Sequence, residues 1–146
     1  MGVGVSHATA KWSGTLFEGS GSVTPESGQF GELPLTWEGR TDRPEGSTSP
    51  EELIAAAHAG CFSMALSNII AKDGSEASSL VVKADVTFET GDAGPRISTI
   101  HLDVTGTVPG IDQAKFEELV GKAKVGCPVS KALAGNVDIT AEGKLS

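Results

Sequence analysis

Apolar and polar positions alternate in different ways along the chain. Residues 8–23, ATAKWSGTLFEGSGSV, are small and polar with isolated aromatics, and Gly19 and Gly21 punctuate them. This texture predicts short antiparallel strands joined by turns. It continues over 24–36 through Pro25, Gly28, Gly31 and Pro34. Residues 37–49, WEGRTDRPEGSTS, are dense in turn formers and read as a loop. Residues 50–73 are apolar almost all round and predict one long helix. Ser49 serves as N-cap, Pro50 as first residue and Glu52 as capping-box partner, and Gly74 suits the left-handed cap. At 1.5 Å per residue the helix spans about 36 Å. A helix this apolar must be covered on most sides, and one small sheet is not enough, so a second subunit is expected.

Strict alternation returns at 80–90, with Val82, Ala84, Val86 and Phe88 on one face, and at 96–108, with Ile100, Leu102 and Val104. The turn GDAGP joins these two strands as a hairpin. Residues 112–125 have helical periodicity behind Asp112. CPVSKAL, 127–133, starts a shorter helix with Pro128 in its first turn, and 136–145 alternate as a final strand. The sum is an α+β domain, taken as one unit over residues 1–146.

Composition narrows the function classes. The chain has 146 residues, 38% hydrophobic and 21% charged, which is ordinary for a globular protein. A domain of this size buries roughly 70% of its unfolded surface and needs no disulfide to fold. The net charge of −8 argues against nucleic acid, whose phosphates such a surface repels. The first residues show no basic segment followed by an apolar one, and His58, Ser63 and Ser67 interrupt the longest apolar run. A cytoplasmic protein without a membrane span is expected. In that compartment two cysteines suggest redox work, metal binding or inert packing rather than a structural bridge.

Those two, Cys61 and Cys127, lie too far apart in sequence for CxxC chemistry. Cys127 stands at a helix start, where free N–H groups favour a thiolate, whereas Cys61 lies mid-helix without that help. A reactive Cys61 therefore needs a cation. His58, three residues earlier, shares its helix face, although a core histidine bonded to backbone is the plainer reading. His58, Cys61 and Cys127 together fall one ligand short of a zinc site. Arg40 and Arg43 are the other cations, and spacing does not choose between them and His58. Glu52 has its capping role, which leaves Glu51 to orient an arginine through a bidentate pair. Glu51 and Cys61 are ten positions apart, about 15 Å along an unbroken helix. Glu51 would thus meet Cys61 only if the helix bends or from the second of two antiparallel helices, one from each subunit.

TSPEELIAAAHAGCFSMALSN, WEGRTDRPEG and VPGID…KAKVGCPVSKAL together closely resemble the OsmC/Ohr family of hydroperoxide reductases, its OsmC branch in particular. The resemblance covers nearly the whole chain and includes both cysteine neighbourhoods. It implies an intertwined homodimer in which long central helices are wrapped by antiparallel sheets, with active sites at the subunit interface. It implies a thiol-dependent peroxidase acting on organic hydroperoxides, and on hydrogen peroxide less well. Carried over by motif, Cys61 is the peroxidatic cysteine, Cys127 the resolving cysteine and disulfide partner, Arg40 the thiolate-stabilising arginine with Arg43 as fallback, and Glu51 the residue that orients it. The resemblance further implies an external dithiol reductant, a dihydrolipoyl protein or a small thiol, and no need for metal, flavin or haem. A different class stands beside it: a non-enzymatic binder of hydrophobic ligands or a thiol-based sensor on the same scaffold.

Overall fold

The structure is a computed structural model that describes residues 2–146. The chain divides into two compact units, one ending at Pro50 and the other running from Glu51 to Ser146.

In the first unit, β1 (Ala8–Ser13) pairs antiparallel with β2 (Ser20–Pro25), and β2 pairs antiparallel with β3 (Leu33–Leu35). Ala8 faces Pro25 and Ser13 faces Ser20, so the predicted turn lies at 14–19. Phe17 in that turn meets Trp37 edge to face, with ring centroids 5.2 Å apart. The segment read as a loop opens with a short helix, α1 (Trp37–Thr41). The Thr36 hydroxyl accepts the Gly39 N–H at 3.0 Å, Glu38 lies in the first turn and Arg40 in the last. Cap and charge placement suit a helix, but five residues are too few to show a hydrophobic period.

The second unit is built on α2 (Pro50–Lys72). It ends as expected: the Ser75 N–H reaches the Ile70 carbonyl at 3.1 Å, and Gly74 has φ +95, where a side chain would be strained. His58, Phe62, Leu66 and Ile70 form a buried stripe, one residue per turn. Within the chain the rest of the helix is more open than expected, with Met64 75% exposed. By length and composition α2 could cross a bilayer, yet its stripe lies in a globular core.

β4 (Ser79–Glu89) and β5 (Arg96–Thr107) form the predicted antiparallel hairpin, with Val86 opposite Ile100 and a register shift after Thr87. Then α3 (Gln113–Gly126), capped by the Asp112 carboxylate on the Lys115 N–H at 2.8 Å, leads into α4 (Pro128–Leu133). β6 (Asp138–Leu145) closes the sheet beside β5, and here the expectation of antiparallel sheets fails, because β6 runs parallel to β5. The two-helix connection is long enough to carry the chain back to the end where β5 began, which a parallel pair requires. α3 can approach the sheet because two of its positions are glycine. A Cβ at Gly106 would lie 2.5 Å from Phe116 Cζ, and one at Gly143 would lie 2.7 Å from Val120 Cγ2. The core joins Phe62, Leu66 and Ile70 of α2 to Ile100, Leu102 and Val104 of β5 and Phe116, Leu119 and Val120 of α3.

Candidate active site

The two cysteines, distant in sequence, meet between α2 and α4. Cys61 is half-buried on α2, Cys127 is fully buried, and both thiols are free. The Cys127 thiol neighbours the Cys61 thiol closely enough to act on its pKa. Cys127 occupies the joint between α3 and α4. Its N–H donates to the Ala123 carbonyl at 2.8 Å, closing α3, and its carbonyl accepts from Lys131 at 2.9 Å, opening α4.

The opening turn of α4 does not serve the cysteine it was expected to serve. Pro128 has no N–H, so the first donor of the turn is Val129, and its backbone dipole favours the ionised form of Cys61. Cys61 therefore has the help that a mid-helix position alone denies it. The balance still favours the thiol. Burial raises its pKa above the ordinary 9.0, the Val129 N–H opposes this, and the neighbouring Cys127 raises it further. Within this unit Cys61 is protonated at neutral pH, and a thiolate there requires positive charge.

His58 is buried in the α2 stripe, and its partner differs from the expected backbone group. Nε2 lies 2.8 Å from the hydroxyl of Ser130, a buried residue of α4. The other ring nitrogen, Nδ1, is buried without a hydrogen-bond partner. Burial lowers the pKa of His58 from 6.5, so the ring is neutral at neutral pH. Among the described residues the three-ligand cluster suited to a metal is His101, Asp103 and Glu142 on β5 and β6, a set without His58 or either cysteine.

Glu51 is buried in the first turn of α2, while Glu52 is exposed. Because α2 is continuous, Glu51 stands about 15 Å along its axis from Cys61. Arg40, half-buried on α1, and Arg43, exposed with φ 52, belong to the first unit. The Arg43 Nε donates to the Arg40 carbonyl at 3.5 Å. Two contributors were not singled out in the sequence: the Val129 N–H, which no side-chain motif encodes, and Ser130. The spacing of Ser130, three residues after Cys127, mirrors His58, three residues before Cys61, and that symmetry was its one available signal.

Residues 43–142 match the family described as OsmC-like protein. The chain is 42% identical over 130 residues to peroxiredoxin OsmC of Escherichia coli K12, covering 89% of this chain and 90% of that protein. It is 36% identical over 105 residues to the organic hydroperoxide resistance protein OhrA of Bacillus subtilis, covering 70% and 72%. Its fold is similar to the crystal structure of OhrB of Bacillus subtilis, with a TM-score of 0.78, 28% identity and coverage of 96% and 98%.

Proposed function

The chain belongs to the OsmC/Ohr family, and from that premise we propose that it is a cytoplasmic, thiol-dependent peroxidase that reduces organic hydroperoxides. The observation that carries the reading is that Cys61 and Cys127, distant in sequence, are neighbours between α2 and α4, where each element carries one thiol.

The Cys61 thiolate attacks the distal oxygen of ROOH. The O–O bond breaks, the alcohol ROH leaves with a proton, and Cys61 becomes a sulfenic acid. Cys127 attacks that sulfur, its thiol proton and the sulfenic hydroxyl leave as water, and a Cys61–Cys127 disulfide forms. An external dithiol, a dihydrolipoyl protein or a small thiol, then reduces the disulfide and is itself oxidised. The apolar surroundings hold Cys61 as a thiol, so the first step needs a fixed cation. Arg40 takes this role because a guanidinium keeps its charge at any working pH, with Arg43 as the fallback. Glu51 holds that arginine by a bidentate pair. The length of α2 between Glu51 and Cys61 supports a homodimer in which Arg40 and Glu51 of one subunit serve Cys61 of the other. The whole chain, 1–146, then acts as one functional domain. The second reading, a sensor or ligand binder, is favoured by the raised thiol pKa, which slows turnover.

Cys61→Ser is expected to reduce cumene hydroperoxide with dithiothreitol no faster than buffer, while the wild type turns over many equivalents. Equal rates for the two proteins refute the peroxidase reading. Wild-type stoichiometry that stops at one equivalent favours the sensor. Mass spectrometry after peroxide should find the Cys61–Cys127 disulfide, and its absence removes Cys127 from the resolving role.

A further inference from the structure

The Cys61–Cys127 meeting is one of two crosswise contacts between α2 and α4. His58 lies one helical turn before Cys61, and Ser130 lies one turn after Cys127. The cysteines face each other, and so do His58 and Ser130, at 2.8 Å. A single contact between two helices leaves rotation free, whereas two contacts separated along both axes fix rotation and position together. This matters here because α4 has only six residues and its first turn carries the N–H that favours the Cys61 thiolate. The imidazole and the hydroxyl are both buried, so each depends on the other for its hydrogen bond, and parting them strands two polar groups in an apolar core. The neutral state of His58 suits such a bond, since the ring needs no counter-charge.

We propose that His58 and Ser130 are positioning residues, a buried clasp that holds α4 against α2 and thereby sets both the Val129 N–H and the Cys127 thiol on the Cys61 sulfur. The clasp acts through α4 and touches no peroxide. Its kinetic consequence rests on the peroxidase reading above; its effect on the reduced Cys61 thiol does not.

The test uses the reduced full-length protein with Ser130→Ala, His58→Asn and His58→Gln. Gln places an amide near the position of Nε2, and Asn places one near Nδ1, too short to reach Ser130. Two quantities are read: the pH profile of Cys61 alkylation by iodoacetamide, and the rate of disulfide formation after one equivalent of cumene hydroperoxide, with dimedone trapping the sulfenic acid. Ser130→Ala and His58→Asn are expected to move the alkylation profile up by about one pH unit, as the N–H contact with the thiolate weakens. They should slow disulfide formation about tenfold, with more sulfenic acid trapped, because Cys127 is misplaced. His58→Gln should restore both. A Ser130→Ala protein with the wild-type profile and rate overturns the clasp, and so do Asn and Gln variants that behave alike. If the wild type forms no disulfide while Ser130→Ala still shifts the alkylation profile, the clasp stands and the peroxidase reading falls.

Discussion

Residues 51–146 contain every buried hydrophobic side chain found among the described residues, from Phe62 to Val137. Residues 2–50 contain none. All six residues of β1 are exposed, Trp12 is 42% exposed and Phe17 68%. The second unit thus has the core that a stable domain needs, while the first is a three-stranded sheet whose apolar side chains are at most half-buried. Small sheets gain stability by packing a hydrophobic face on something else. The candidate chemistry divides the same way: Cys61, Cys127, His58 and Ser130 lie in the second unit, and the arginines proposed to stabilise the thiolate lie in the first. In the proposed homodimer both deficits have one remedy, since a partner covers the sheet and receives the charge.

The sharpest way to break this contrast is to damage each unit separately. Phe116→Ala removes the ring that fills the space over Gly106 and Gly143, and should destabilise the protein by about 3–5 kcal/mol in urea unfolding at fixed protein concentration. A loss below 1 kcal/mol would mean that α3 is not part of an essential core.

Arg40→Ala should leave that stability nearly intact and instead lower peroxide turnover at neutral pH about 100-fold, with activity recovering as the pH rises toward the Cys61 pKa. Subunit mixing sharpens the point. When Arg40→Ala protein is exchanged with inactive Cys61→Ser protein, each mixed dimer should regain one intact site. Random exchange restores about a quarter of the wild-type rate. No recovery means that Arg40 serves its own chain.

The smallest effect concerns the clasp. The pKa of His58 is lowered in the folded protein, so the unfolded chain takes up this proton first as pH falls. Its contribution to stability is complete above the unfolded value near 6.5 and is lost as the pH falls through the lower folded value. The acid limb of thermal stability should therefore be shallower in His58→Gln than in wild type. Parallel limbs in the two proteins would show that His58 does not titrate on unfolding.

Much of the fold was legible because local rules governed it. Ser49 to Glu52 and Gly74 marked the ends of α2, Asp112 marked the start of α3, and alternation through Val82–Phe88 and Ile100–Val104 identified the inward faces. α1 was missed because five residues show no period, and the parallel β5–β6 pair was missed because alternation is the same in either strand direction. Of the candidate site, the cysteines could be named from their surroundings, but Ser130 and the Val129 N–H could not. A backbone donor has no letter in the sequence, and a serine means little until its partner across the core is known.

Sequence alone located the long helix α2, the β4–β5 hairpin, α3 and the inward faces of the strands, and its family resemblance singled out Cys61 and Cys127 as candidate redox groups. The elements and faces follow from periodicity and caps, all of them short-range, and the cysteine roles from the motifs around them. Only the tertiary structure decided that α4 lies beside Cys61 and that His58 pairs with Ser130. It also decided that the first turn of α4 serves a cysteine far from it in the chain. Those outcomes depend on how long segments return to one another, and the physical reason is packing: α3 could close onto the sheet at Gly106 and Gly143, and in doing so it delivered α4 to α2.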